Sequence, residues 1–132
     1  MKRHRVYIGG KLSDAACGYI RNCHKMIEVS IEARLSGLAP YTPAEDLLSG
    51  LVSGQLNYSD FFDVSVEFLK VCEGMILVPG WQTSVGVAKE IEIAKQYHIP
   101  IFYSVEEAVN YFNWRYGEFR IPVENARWPL ND

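Results

Sequence analysis

Apolar and polar positions along this chain follow two rhythms: short apolar runs closed by turn residues, and longer stretches with helical spacing. Val6-Tyr7-Ile8, followed by Gly9-Gly10, predicts a strand over Arg5 to Gly9. Ile20, Cys23, Ile27, Ile31 and Leu35 keep roughly helical spacing, which predicts a helix from about Asp14 to Ser36. Ser13 or Asp14 can cap that helix, and Gly37 closes it. Leu38 to Tyr41 reads as a second short strand, and Ala44 to Leu51 as a helix ended by Ser53-Gly54. Asn57 to Asp60 is polar and turn-like. A helix from about Asp60 to Cys72 then places Phe61, Val64, Phe68 and Val71 on its apolar side. Met75 to Val78 is a continuous apolar run bounded by turn formers, the pattern of a buried strand. Pro79-Gly80 ends it. Thr83 or Ser84 caps a helix from about Val85 to Tyr97. Pro100 to Tyr103 is a further strand, and Ser104 caps a helix over Val105 to Trp114. Beyond Tyr116 the pattern is irregular.

Strands alternating with helices predict an α/β fold: a parallel sheet with helices on both faces, in the flavodoxin or Rossmann-like three-layer arrangement. At 132 residues the chain forms one domain, spanning 1–132. Ligands in such folds bind at the carboxyl ends of the strands, where Tyr7-Gly9-Gly10, Tyr41 and Pro79 to Ser84 are expected. A GxGxxG fingerprint is absent, so a dinucleotide cofactor is not expected, and no other cofactor is.

Composition narrows the function classes. An apolar content of 48% with 22% charged residues fits a globular domain and excludes a disordered one. The net charge is −3, and Lys2-Arg3-His4-Arg5 is the one basic run, so nucleic acid is not an expected partner. Three cysteines, Cys17, Cys23 and Cys72, form neither a disulfide framework nor a zinc pattern; they read as buried thiols of a cytoplasmic protein. His24 and His98 are isolated, and no metal constellation is visible. The apolar run after the basic start is too short for a signal-peptide core, and no run reaches the length of a membrane span.

The chemistry concentrates after the third strand. A strand, a polar turn and a helix N-terminus at Thr83 to Gly86 present free backbone N–H groups and the positive end of a helix dipole to an anion. Gly86 lets a ligand approach the backbone. Glu90 lies six residues past Ser84, within a sugar's width of an anion held there. A carboxylate beside an anomeric carbon acts as a nucleophile or stabilises an oxocarbenium ion. Trp81, beside this turn, can stack on a base or cover the sheet edge.

Val6-Tyr7-Ile8-Gly9-Gly10, Pro79-Gly80-Trp81 and Ser84-x-Gly86-x-x-x-Glu90, in register with Ile99-Pro100-Ile101, together resemble the nucleoside 2-deoxyribosyltransferase superfamily. The likeness includes its nucleoside-monophosphate N-glycosidases and short relatives with a Pro-Gly-Trp turn, and covers Val6 to Tyr103. It implies that Glu90 attacks C1′ of a nucleoside or nucleoside 5′-monophosphate and expels the base, and that water or a second base resolves the glycosyl ester. It implies that Tyr7 donates a hydrogen bond to that carboxylate and that Ser84 contacts the 5′ end of the substrate. Gly9, Gly10, Gly80 and Trp81 would line the site. Lys11 stands where phosphate-binding relatives carry an arginine, and can neutralise a phosphate as a point charge. An aspartate that binds the sugar or protonates the base is expected ahead of the central strand. Asp63 is preferred, with Asp60 second; Ser65 lies nearer the family's place, and Glu73 stands where an Asp is common. Relatives complete the pocket with a neighbouring subunit, which implies a homodimer or larger homo-oligomer. Trp114, Tyr116, Phe119 and Trp128, in the tail from about residue 114, would form the contact. Two alternatives remain: a phosphoribohydrolase of the lysine-decarboxylase-like group, whose Pro-Gly-Gly turn is broken here by Trp81, and a nucleotide-binding module without turnover.

Overall fold

The computed structural model describes residues 1–120. In chain order the elements are β1 (Arg5–Gly9), α1 (Ala16–Leu35), β2 (Ala39–Tyr41), α2 (Leu47–Val52), α3 (Tyr58–Leu69), β3 (Gly74–Leu77), α4 (Val85–Gln96), β4 (Ile101–Phe102) and α5 (Val105–Tyr116). Short 3₁₀ turns at Pro43–Asp46 and Trp81–Thr83 lead into α2 and α4. The strands form one parallel sheet in the order β2-β1-β3-β4. This is a three-layer α/β fold, as the alternation of strands and helices predicts.

Period-two side-chain alternation sorts the core into two halves. Val6, Ile8, Ile76 and Val78 face α1 and α5 and pack with Cys23, Met26, Ala33, Phe102 and Phe112. Tyr7, Met75 and Leu77 face α3 and α4 and pack with Leu69, Val87 and Ala94. Each fully buried aliphatic chain contributes roughly 1.5–3 kcal/mol, so neither helix layer is dispensable.

Two helices expose a different face from the one their spacing predicts. On α1 the buried line is Cys23, Met26, Ser30 and Ala33, while Ile20 and Leu35 stand exposed. Ser30 belongs inside because the Thr42 hydroxyl donates to its oxygen at 2.6 Å, a bond that ties α1 to the end of β2. On α3 the buried residues are Ser65, Val66 and Leu69; Val64, Phe68 and Val71 are about half exposed. The caps differ as well. Ala15 occupies the N-cap of α1, where its methyl side chain offers no acceptor, and the Asp14 carboxylate accepts from the Ala15 N–H. Asn57 and Asp60 form a reciprocal capping box that starts α3 two residues before the expected Asp60. Ser84 and Ser104 cap α4 and α5 as expected, and Gly37 adopts the positive φ of a helix terminator. Cys23 and Cys72 are buried, whereas Cys17 is exposed.

Among the described residues, no helix is long and apolar enough to cross a membrane. In the tail, α5 runs through Tyr116 and ends at Gly117 in the left-handed conformation. Trp114 and Phe119 are largely exposed and Tyr116 half exposed. Trp128 lies outside the described residues.

Candidate functional site

The parallel sheet directs the ends of β1, β2 and β3 to one edge, and a cavity of ≈ 600 Å³ opens there. Its floor carries Tyr7, Ile8 and Gly10 from β1 and the residues just beyond it. One wall is the start of α4, from Thr83 to Glu90. A second is aromatic, with Tyr58, Phe61 and Phe62 of α3. A third holds Tyr19 and Met26 of α1 with Pro43 and Asp46 from the turn after β2.

Glu90 is buried on the α4 wall, with 7% of its surface accessible. It faces inward because Val87, Glu90 and Ala94 share the stripe of α4 that packs on the sheet. The Tyr7 phenol donates a hydrogen bond to its carboxylate. Burial raises the Glu90 carboxyl from 4.5 to about 7, and the phenol bond opposes that shift. Tyr7 is itself pushed well above its usual range, chiefly by burial and then by the charge of Glu90. It therefore stays a neutral donor. The Ser65 hydroxyl, buried on α3, lies against the Tyr7 and Tyr41 oxygens and favours their ionised forms, as a donor does. The Tyr7 phenol thus fixes the orientation of the carboxylate. Ser65 reaches the two phenols through the helix phase of α3, which no local motif marks.

Ser84 accepts the Val87 N–H at 3.2 Å and borders the cavity, so the cap and the anion-facing position coincide. At Gly86 an added Cβ would lie 3.0 Å from the Tyr58 hydroxyl, so the α4 start and the α3 wall meet closely at this point. Lys11 lines both the cavity and an adjoining cleft of ≈ 220 Å³, which Gly80, Asn22 and Lys25 also line.

Other expected site residues stand elsewhere. Asp60 is held in the capping box and Asp63 is exposed on α3; neither borders the cavity. Their side chains fall on the wrong side of the helix, because Ser65 takes the inward phase. Gly9 lies beneath Met75, where an added Cβ would meet the methionine methyl at 2.4 Å, so it is a packing glycine. Trp81 lies outside the cavity, tilted against Tyr103 at 6.0 Å and packed on the core beside α4. Asp46 is the cavity carboxyl that sequence reasoning missed, as it missed the aromatic wall of Tyr58 and Phe62. It sits in Pro43-Ala44-Glu45-Asp46, which carries no recognisable motif, and only the return of the chain from β2 brings it to the site. Among the described residues, no group of three or more His, Cys, Asp or Glu side chains is placed to hold a metal ion.

Gly80 has φ 96°, and no atom lies within 4 Å of a Cβ built there. A Gly80→Ala substitution therefore adds backbone strain and no clash. The expected loss is about 1–2 kcal/mol in a urea titration. A loss under about 0.5 kcal/mol would show that the turn relaxes out of the left-handed region.

The fold and site define a parallel α/β protein with a ligand cleft at the carboxyl edge of its sheet and a buried carboxylate in that cleft. The chain belongs to the domain family of unknown function DUF4406, whose family model matches residues 4–103. That span contains all the residues bordering the cavity. No curated protein matches the chain.

Proposed function

We propose that this protein cleaves the N-glycosidic bond of a nucleoside or nucleoside 5′-monophosphate, by base transfer or hydrolysis, with Glu90 as the nucleophile. The observation that carries the reading is the buried Glu90 carboxylate, bonded by the Tyr7 phenol on the wall of a nucleoside-sized cavity. The phenol holds one carboxylate oxygen and orients the other for attack on C1′. An oxocarbenium-like centre arriving beside Glu90 also favours its ionised form, which offsets the effect of burial. The α4 N-terminus at Ser84, with Lys11 also bordering the cavity, suits a 5′-phosphate or 5′-hydroxyl. The aromatic α3 wall of Tyr58, Phe61 and Phe62 suits a planar base. The resemblance to nucleoside 2-deoxyribosyltransferases supports the same assignment of Tyr7, Ser84 and Glu90.

The same reading makes the working unit a homodimer or larger homo-oligomer in the cytoplasm. Exposed Trp114 and Phe119 support a contact through the end of α5.

The test is a screen of nucleosides and their 5′-monophosphates for free-base release, with and without an acceptor base. Release by the wild type, lost in Glu90→Gln, is the expected result. Nucleotides that bind without base release from any substrate would replace the enzyme with a binding module.

A further inference from the structure

We infer that Asp46 is the acid that protonates the departing base, a role that rests on the cleavage proposed above. Breaking the C1′–N bond drives its electron pair onto the base, and an ordinary purine or pyrimidine leaves poorly as an anion. A proton donor on the side of the cavity away from the nucleophile meets that need. Asp46 hangs from the turn after β2, whereas Glu90 stands on the helix after β3, and β1 runs between those strands. Neighbouring strands are about 4.8 Å apart, so the two carboxyl groups reach one cavity from flanks roughly 10 Å apart at the backbone. A sugar and its base fit between them.

Asp46 is free for this task. It occupies the N-cap position of α2, where an aspartate normally accepts a backbone N–H, yet its side chain makes no capping bond. It is half buried and borders the cavity. Burial, and then the neighbouring charge of Glu45, raise its carboxyl above the usual range, which favours the acid form. Among the described residues, it and Glu90 are the carboxyl groups that border the cavity. The other donors there stand elsewhere or are engaged. Tyr7 is bonded to Glu90, the Tyr58 hydroxyl lies by Gly86 on the nucleophile's side, and Lys89 extends over the Phe62 ring at 5.8 Å. Tyr19 shares the wall with Asp46, but burial and then Cys23 raise its phenol, a far weaker acid than a carboxyl. Lys11 lies toward the adjoining cleft, which Thr83 and Gly80 also line.

The steps balance. A Glu90 oxygen bonds to C1′, the C1′–N bond breaks with its pair going to the base, and the Asp46 proton passes to a base nitrogen or oxygen. The products are a glycosyl ester, a neutral base and an Asp46 carboxylate. Asp46 then takes a proton from water, or from the N–H of an acceptor base, as that nucleophile bonds to C1′. The ester C1′–O bond breaks, and its pair returns to Glu90.

The experiment compares two leaving groups in wild type, Asp46→Asn and Asp46→Ala. One substrate is an unmodified nucleotide from the release screen. The other is its N-methylated form (7-methylpurine or 3-methylcytosine), whose cationic base leaves neutral with no proton supplied. The expected result is a loss of roughly 100-fold or more in kcat/KM on the unmodified substrate. The loss on the methylated one should stay within about fivefold. Circular dichroism and melting of each variant separate misfolding from loss of the acid. Equal losses on the two substrates in a folded variant would overturn the role of Asp46 and leave the cleavage reading standing. A wild type that releases base from neither substrate would take down that reading and this role together.

Discussion

Glu90→Gln should abolish base release and, at pH 8, make the protein more stable. The activity arm follows from chemistry. A carboxamide cannot form the glycosyl ester, so the expected loss is roughly 10³-fold or more. The stability arm follows from burial. Glu90 has its carboxyl raised from 4.5 to about 7. Between those values the folded chain keeps a proton that the unfolded chain has released. The favourable contribution is therefore complete below about pH 4.5 and is lost as pH rises through about 7. Above that, the wild type carries the whole cost of a buried charge, about 3 kcal/mol for this shift. Glutamine removes the charge, keeps an acceptor for the Tyr7 phenol, and turns its amide toward a cavity that admits water. The gain should approach that figure at pH 8, about 10 °C in Tm for a chain of this size, and should vanish by pH 4.5. Melts of both proteins across that range measure it. A variant no more stable than wild type at pH 8 would mean that Glu90 is not a strained, desolvated acid. In the wild type the same ionisation should make kcat/KM on the N-methylated substrate, which needs no proton from Asp46, rise with pH through about 7.

The cost and the proposed activity share one cause. Tyr7 and Ser65 could stabilise the fold equally well around a neutral side chain. A carboxylate placed there destabilises the chain, and charge cost concentrated in a cleft is the signature of a site rather than of a core.

How far the sequence reached depended on the range of the interactions. Elements set by neighbours were legible. Glycines closing β1, the apolar run of β3, and the serine caps of α4 and α5 are local signals, and each stands within a residue or two of its expected place. Tyr7 and Glu90 were legible as partners through resemblance, since 83 positions separate them and no spacing rule joins them. Helix phase was less legible. Apolar residues on α3 divide between the core, the cavity wall and solvent, so the stripe through Phe61 and Phe68 does not mark the core. The acid proposed for the departing base was the least legible. Asp60 and Asp63 have the right chemistry in the expected region, but the cap and the helix phase take them away from the cavity. Asp46 arrives by a crossover that only the assembled sheet reveals.

His4 shows the same limit at the opposite edge of the sheet, and replacing it should cost more stability than any other single change considered above. As part of Lys2-Arg3-His4-Arg5 it reads as one of a basic surface run, yet it is 1% exposed. Phe112 and Tyr116 both stack on its ring, with centroids at 4.5 Å. Nδ1 lies 2.7 Å from Glu73 and Nε2 3.2 Å from Glu118. Each ring nitrogen thus faces a carboxylate oxygen, which only accepts. Arg120 bonds Glu118 and the Lys2 carbonyl, which joins the end of α5 to the start of β1. Burial alone would raise Glu73, but bonds from His4, the Arg5 N–H and Lys2 hold it down at about 2. Glu118 is lowered too: burial opposes the shift, and bonds from Arg120 and His4 prevail. His4→Leu keeps the volume and removes both ring nitrogens, leaving two carboxylates with less compensation. The expected loss is about 3–5 kcal/mol, read by urea titration at pH 7. In the wild type these carboxylates contribute stability above about pH 4.5, and that contribution is lost as pH falls toward 2. His4→Leu should flatten this acid dependence. Because the cluster lies at the amino ends of the strands, away from the cavity, the variant should keep wild-type turnover at temperatures where it remains folded. A loss below 1 kcal/mol with the acid dependence unchanged would show that the two carboxylates find equal partners without the imidazole.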